Sequence, residues 1–482
     1  MRFAILISAS VMILSGCASL GGLSKFKPEK TAVSVEGLVP QNTSWAEVAP
    51  EDLPTTDWIG SFSDPVLVSL VAEALEANTN IRSAAARVEA AQSRSRISRA
   101  DKLPTLDTNS RITRNETSIP FSNPTNIASG ISANWEADLW GRIKNGIAAD
   151  EFSLAASEAD YAGARLSIAG QVAQGWFNVI EARLLSELSA RDVETLERSL
   201  ALTQRRFEGG VTGSSDVRLA RSSVANAKAL QASREQNLSA LTRNLEIILR
   251  RYPSDEIDIT EDLPNLPTLS GVATPGYVLR KRPDLLAAES RMRAQGLEVD
   301  VARKNLLPRL SFTGNGNLNA TSFSDFFDVD ALAMQLIGNF SAPLFQGGRL
   351  KGNIEQQEAI LREQLESYAG EALNAYLEVE NALSAEQRLL ERENALRTSL
   401  EEAQKAESRL ELRYTEGLAT ILQLLDAQSR RISAEGQLIS ARKERLANRV
   451  RMHVALGGGF ETDIGFATAV AVSDNNSIGL AP

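Results

Sequence analysis

Where proline is missing decides most of what this chain can become. Proline costs a helix interior about 3 kcal/mol, so long helices are confined to proline-free stretches. No proline occurs between Pro124 and Pro253, or between Pro343 and Pro482. Each window holds a tract rich in Ala, Leu, Glu and Arg, from about Gly146 to Phe207 and from about Leu350 to Tyr414. A continuous helix over either tract would be ~95 Å long at the standard rise per residue. Globular helices average ~11–12 residues, so helices of this length need partners along their sides, as in coiled coils. Both tracts stop at glycine-containing turns, Glu208-Gly209-Gly210 and Glu416-Gly417. A further helix follows each turn, about Ser215 to Arg251 and about Thr420 to Leu456. The pattern predicts two helical hairpins with glycine at their tips.

The two hairpins belong to a duplication. Asn80-Ile81 aligns with Asp284-Leu285, Arg87-Val88 with Arg291-Met292, and Pro104 with Pro308. After a small shift in register, Trp135 meets Phe340 and Trp140 meets Phe345. Beyond these, Gly141-Arg142 meets Gly348-Arg349, Arg206-Phe207 meets Arg413-Tyr414, and Gly210 meets Gly417. Each repeat reads helix, strand, strand, long helix, tip, helix. The expected division is 61–251 for the first repeat, 252–273 for a connection, 274–456 for the second, and 457–482 for a tail.

The strands are expected between the helices, at about 105–140 and 309–345. Ile127, Ile131, Ala133, Trp135, Ala137 and Leu139 share one period-two face. Leu332, Met334, Leu336, Phe340, Ala342 and Leu344 do the same in the second repeat. A half-buried sheet of a soluble protein gives the same alternation. Two strands per repeat make four per chain, too few to close a barrel, and open edges are not tolerated in lipid. A membrane-embedded sheet of this kind must therefore be shared between chains. Two chains would leave a side-chain-filled interior, whereas an aqueous path needs more strands, which three chains supply.

The first residues look like an address. Met1-Arg2 precedes an apolar run from Phe3 to Leu14, of signal-peptide length and too short to span a membrane. It ends in Leu14-Ser15-Gly16-Cys17, which resembles the lipobox of bacterial lipoproteins. Residues 1–16 are then the signal peptide, and Cys17 the lipidated N-terminus of an extended tether over 17–60. Ala18 is compatible with transfer to the outer membrane by that resemblance.

Composition removes other chemistries. With one Cys and one His (His453), a Cys/His zinc site and an internal disulfide are impossible. A net charge of -10 argues against nucleic acid. Five Met without a cluster give no support to a copper or silver relay. No catalytic scaffold is recognisable, so neither an enzyme nor a cofactor is expected. His453 aligns with Glu246 and reads as a surface or packing residue.

Taken together, these features resemble the TolC-like outer-membrane efflux family, in its lipoprotein (NodT-like) branch serving resistance–nodulation–division pumps. The most specific motifs are Arg413-Tyr414-Thr415-Glu416-Gly417-Leu418 with Leu424-Leu425-Asp426-Ala427-Gln428. Their echo is Arg206-Phe207-Glu208-Gly209-Gly210-Val211 with Asp216-Val217, and Asn134 to Arg142 resembles the family's strand-to-helix junction. The resemblance implies a mainly α fold with β. A homotrimer would form a twelve-stranded transmembrane barrel continued by a periplasmic α-helical barrel. It implies a passive exit duct that a periplasmic adaptor protein joins to an inner-membrane pump. Leu422, Asp426 and Asp216 would lie at the periplasmic gate, with Arg206 and Arg413 holding it closed by pairing with carboxylates. Gly210, Val211, Gly417 and Leu418 would form the adaptor-facing tips, about 208–214 and 415–420. A coiled-coil envelope spacer and the duct of a type I secretion system are the competing readings; a spacer needs no strands.

Overall fold

A computed structural model describes residues 57–114, 125–260, 262–267, 272–320 and 332–458, with residues 31, 33, 38–39 and 44–46. Cys17, the signal sequence and the end of the tail lie outside the described residues. After a 3-10 turn at Gly60–Phe62 come α1 (Pro65–Ala77), α2 (Thr79–Ala100), β1 (Thr105–Arg114) and β2 (Thr125–Ala137). The first hairpin is α3 (Arg142–Glu208) and α4 (Ser214–Ile248). The second half holds α5 (Pro275–Lys281), α6 (Pro283–Lys304), β3 (Arg309–Ala320) and β4 (Leu332–Ser341). The second hairpin is α7 (Arg349–Thr415) and α8 (Ile421–Ala455).

The duplication is visible in the lengths. α3 and α7 both have 67 residues, and α4 and α8 both have 35. Both pairs recur at one offset of 207 residues, from Arg142 to Arg349 and from Ser214 to Ile421. Some boundaries differ from expectation, for local reasons. α3 begins before Gly146 because the Asp138 carboxylate accepts from the backbone N–H of Ile143 (3.1 Å) and Lys144 (2.8 Å). That cap also ends β2 at Ala137, so Leu139 is not on the strand face. β4 ends at Ser341, just before Pro343, which has no N–H for the ladder, so Ala342 and Leu344 also fall outside it. α4 stops at Ile248, short of Arg251, because Arg250 turns left-handed at φ 62°.

The chain divides into two compact units. One contains Ala91–Leu154 and Ser290–Glu366 with part of the N-terminus. Its centre is an antiparallel sheet in the order β1-β2-β3-β4. Helix ends in this unit are tied by Arg94–Asp150 (2.8 Å) and Arg303–Glu358 (2.8 Å). Thr31, from the segment read as a tether, donates its N–H (3.1 Å) and hydroxyl (2.8 Å) to Asp300.

The other unit contains Glu36–Ala90, Ala155–Glu289 and Ser367–Pro482. Its core is built around Trp58, Phe62, Leu67, Trp176, Phe177, Ile180 and Leu245. The Trp176 indole N–H donates to Asp64 (2.7 Å), which also caps α1 through the N–H groups of Val66 and Leu67. Trp45 docks on this unit by donating to the Ala273 carbonyl (2.7 Å).

His453 is a packing residue. It is buried and stacks on Trp58 with centroids 5.5 Å apart. Burial, reinforced by the Arg449 charge, pushes its pKa down to about 4 from 6.5. Between those values the unfolded chain binds a proton that the folded chain refuses, so stability falls as pH drops through that window. The expected loss is about 2 kcal/mol at pH 5 relative to pH 7.5. A melting series should show this dependence in the parent and lose most of it in His453→Phe.

Candidate functional sites: the sheet face and the hairpin tips

The register sorts the sheet into two unlike faces. Ile127 pairs with Ile112 and with Ala320, and Trp135 with Phe312. Leu310 pairs with Phe340 and Leu318 with Leu332. Alternate positions carry these side chains with Leu106, Ile131, Met334 and Leu336 to one apolar face. The opposite face carries Asp107, Asn109, Arg111, Asn134, Glu136, Thr313, Asn315, Asn317, Gln335 and Asn339. The apolar face is exposed, with Met334 at 82%, Leu336 at 78% and both Leu106 and Ile112 at 73%. Among the described residues nothing covers it. An exposed apolar face of this extent marks an interaction surface, and its sidedness matches a barrel wall with lipid outside and water inside. Among the described residues β1 and β4 each keep one unpaired edge. Among the described residues no helix is long and apolar enough to cross a membrane.

At the other site, the two tips are closed by the same turn. Gly210 and Gly417 take left-handed φ values of 74° and 82°. Val211 N–H reaches back to the Arg206 carbonyl (2.8 Å) and Leu418 N–H to that of Arg413 (2.8 Å). This is the Schellman stop, and a side chain at either glycine would be strained. Val211 and Leu418 are left exposed at the apices. Thr420 and Gln423 then form a reciprocal capping box that starts α8.

The arginines at the tips take carbonyl partners instead of the expected carboxylates. Arg206 crosses between hairpins, donating Nη1 to the Tyr414 carbonyl (2.5 Å), with its guanidinium 4.8 Å from the Tyr414 ring centroid. Arg413 closes its own tip by donating to the Leu418 carbonyl (3.2 Å). A neutral guanidine is out of reach at ordinary pH, whereas a carboxylate partner could be protonated away, so a carbonyl partner makes these bonds insensitive to acid. Tyr414, buried, shares a hydrogen bond with Thr203 (2.9 Å) and packs with Ala220, Ile421 and Leu424.

The acids stand apart from that contact. Leu422 and Asp426 lie one turn apart on an exposed face of α8, opposite buried Leu424 and Gln428. Asp426 accepts from Arg430 on its own helix (2.8 Å). Asp216 accepts from the Thr212 hydroxyl (2.7 Å) in the first turn of α4. The two acids are not repeat counterparts: at the 207-residue offset, Asp216 matches Gln423. Sequence reading missed Tyr414, Gln428 and Arg431 as interhairpin contacts. The signal was present as the helical stripe Ile421, Leu424, Gln428, Arg431, which puts two polar residues on the inward face.

The sheet and the tips now meet what is known of other proteins. The outer membrane efflux protein description matches residues 70–249 and 275–458. The chain belongs to that family. Outer membrane protein OprJ of Pseudomonas aeruginosa is 30% identical over 441 residues, covering 88% of this chain and 91% of OprJ. The probable outer membrane lipoprotein SilC of Salmonella typhimurium is 25% identical, covering 95% of this chain and 99% of SilC. The solved outer-membrane channel OprN superposes with a TM-score of 0.81 at 26% identity, covering 87% of this chain and 97% of OprN. Membership makes this chain an outer-membrane efflux channel, mostly helical with a small antiparallel sheet. Family members are channel proteins rather than enzymes. Among the described residues no cluster of His, Cys, Asp or Glu is arranged to hold a metal.

Proposed function

We propose that three copies join edge to edge and act as a passive exit duct for small molecules leaving the periplasm. The observation that carries this reading is the sheet: one face apolar and exposed, the other polar, both edges open. Because β1 and β4 are the two edges of a four-stranded antiparallel sheet, β4 of one copy meets β1 of the next in antiparallel sense. Three copies of four strands make a twelve-stranded barrel wide enough for water, whereas two make eight, whose interior side chains fill. The hairpins of the three copies line a helical tube in the periplasm, and their tips, with Gly210, Val211, Gly417 and Leu418, receive a periplasmic adaptor linked to an inner-membrane pump. Leu422 and Asp426, with Asp216 nearby, ring the periplasmic constriction, while Arg206 and Arg413 hold the tips in their closed form. Cys17 carries the lipid that anchors the chain; the likeness to a probable lipoprotein supports that role.

The test is purification in detergent followed by planar-bilayer recording. A heat-modifiable trimer with stepwise conductance is expected. A monomer that never conducts would overturn the duct. For the anchor, palmitate label should appear in the parent and vanish in Cys17→Ala; label that persists in the variant would overturn lipidation there.

A further inference from the structure

Arg431 is an arginine in the place of a core residue. Its side chain, only 11% exposed, makes three ion pairs: to Asp192 on α3 (2.9 Å), Glu407 on α7 (2.9 Å) and Glu435 on α8 (3.0 Å). Arg191 closes the other side of Glu435 at 2.9 Å. One guanidinium thus fixes the second hairpin, α7 and α8, to α3 of the first. Between this cluster and the tip, Gln428 adds a bond to Ser199 (2.9 Å) along the same seam.

The duplication supplies an internal comparison. At the 207-residue offset, the counterpart of Arg431 is Val224, that of Glu407 is Leu200, and that of Asp192 is Ser399. Val224 is buried and Leu200 packs against the apolar cluster around Tyr414. The first repeat fills the positions of Arg431 and Glu407 with apolar residues, and its own ion pair at this level, Lys228–Glu197 (2.7 Å), is exposed. Buried ion clusters roughly break even against apolar packing of the same volume, so stability alone does not explain this one. Burial pushes the Asp192 carboxyl up in spite of the Arg431 charge beside it, the mark of a pair that is held rather than comfortable. The two kinds of seam differ when they are pulled apart. An apolar contact loses its burial energy outright, while separated ions regain their hydration. A charged seam can therefore be released to water, and while closed its fork bonds hold one register.

We infer that Arg431 is a releasable clasp between the hairpins, holding the second against α3 in the closed channel and letting go to water when the hairpins part. The inference rests on the reading of the helical end as a gated duct. It places a second holding point above the tips, independent of Arg206.

The test uses the full trimer in planar bilayers. Arg431→Met alone leaves buried carboxylates without their cation and is not informative about gating. The triple variant Arg431→Met, Asp192→Asn, Glu407→Gln removes the charges together and leaves Glu435 with Arg191. Openings are expected roughly ten- to hundredfold more often than in the parent, the scale of one lost charged hydrogen bond. The melting midpoint should stay close to the parent's, which separates gating from folding. Arg431→Lys, which keeps the charge but loses the fork, should fall between parent and triple variant. A triple variant that melts and opens like the parent overturns the clasp. Spin labels at Glu194→Cys on α3 and Ser429→Cys on α8 give a reading that does not depend on conduction. The interhairpin distance should broaden in the triple variant, and an unchanged distribution overturns the clasp even if the parent proves silent. A silent parent by itself overturns the duct instead.

Discussion

Leu336→Arg is expected to abolish assembly in the outer membrane. Leu336 lies mid-strand on β4, pairs with Gly314, and is 78% exposed on the apolar sheet face. An arginine on the lipid face of a barrel at mid-depth costs about 2–4 kcal/mol per chain. In the proposed trimer that cost recurs in each copy, giving about 6–12 kcal/mol per trimer, comparable with the whole stability of a domain. The neighbouring change Gln335→Arg carries the same charge to the opposite, polar face and should assemble. The measurement is the fraction of heat-modifiable trimer in the outer-membrane fraction. Equal assembly of the two variants would mean the sheet does not face lipid, and a soluble packing partner would have to cover it.

That experiment also probes how far sequence alone could go. The proline-free windows and glycine tips gave the hairpins to within a few residues, because helix length and termination are local matters. Strand alternation gave the apolar set but not its surroundings. Ile127 and Trp135 look the same in a half-buried sheet and in a barrel wall; only the register, which brings Phe312, Leu310 and Phe340 to the same uncovered face, separates the two. Strand ends were misjudged at Leu139 and Leu344, where Asp138 and Pro343 redirect the backbone. At the tips, Arg206 and Arg413 bond to carbonyls where the sequence suggested carboxylates. Carbonyl acceptors are present at every residue and leave no trace in a sequence. Arg431 was overlooked for the opposite reason: its partners on α3 and α7 are distant in the chain, and only the fold shows that one side chain reaches them all.

The same geometry separates the roles of two tip residues that motif similarity groups together. Arg206 joins the hairpins through a bond to the Tyr414 carbonyl and a contact with its ring. Among the described residues Asp426 bonds to Arg430 of its own helix, on the exposed face opposite the interhairpin contact. Arg206→Ala should therefore loosen closure. Losing a charged hydrogen bond of about 1.5–3 kcal/mol shifts a closed–open balance by roughly ten- to hundredfold toward open. The readouts are open probability in bilayers and sensitivity of cells to large antibiotics. Asp426→Asn should leave closure nearly unchanged, since an exposed pair within one helix holds nothing across the seam. Its effect should appear in ion selectivity. The proposed trimer would bring three copies of Asp426 to the constriction, and a ring of carboxylates favours cations. The reversal potential in a salt gradient should move toward zero in Asp426→Asn and stay cation-selective in Arg206→Ala. If Asp426→Asn leaks while Arg206→Ala stays sealed, closure depends on contacts between copies at the acid ring, and the hairpin contact within one chain is only packing.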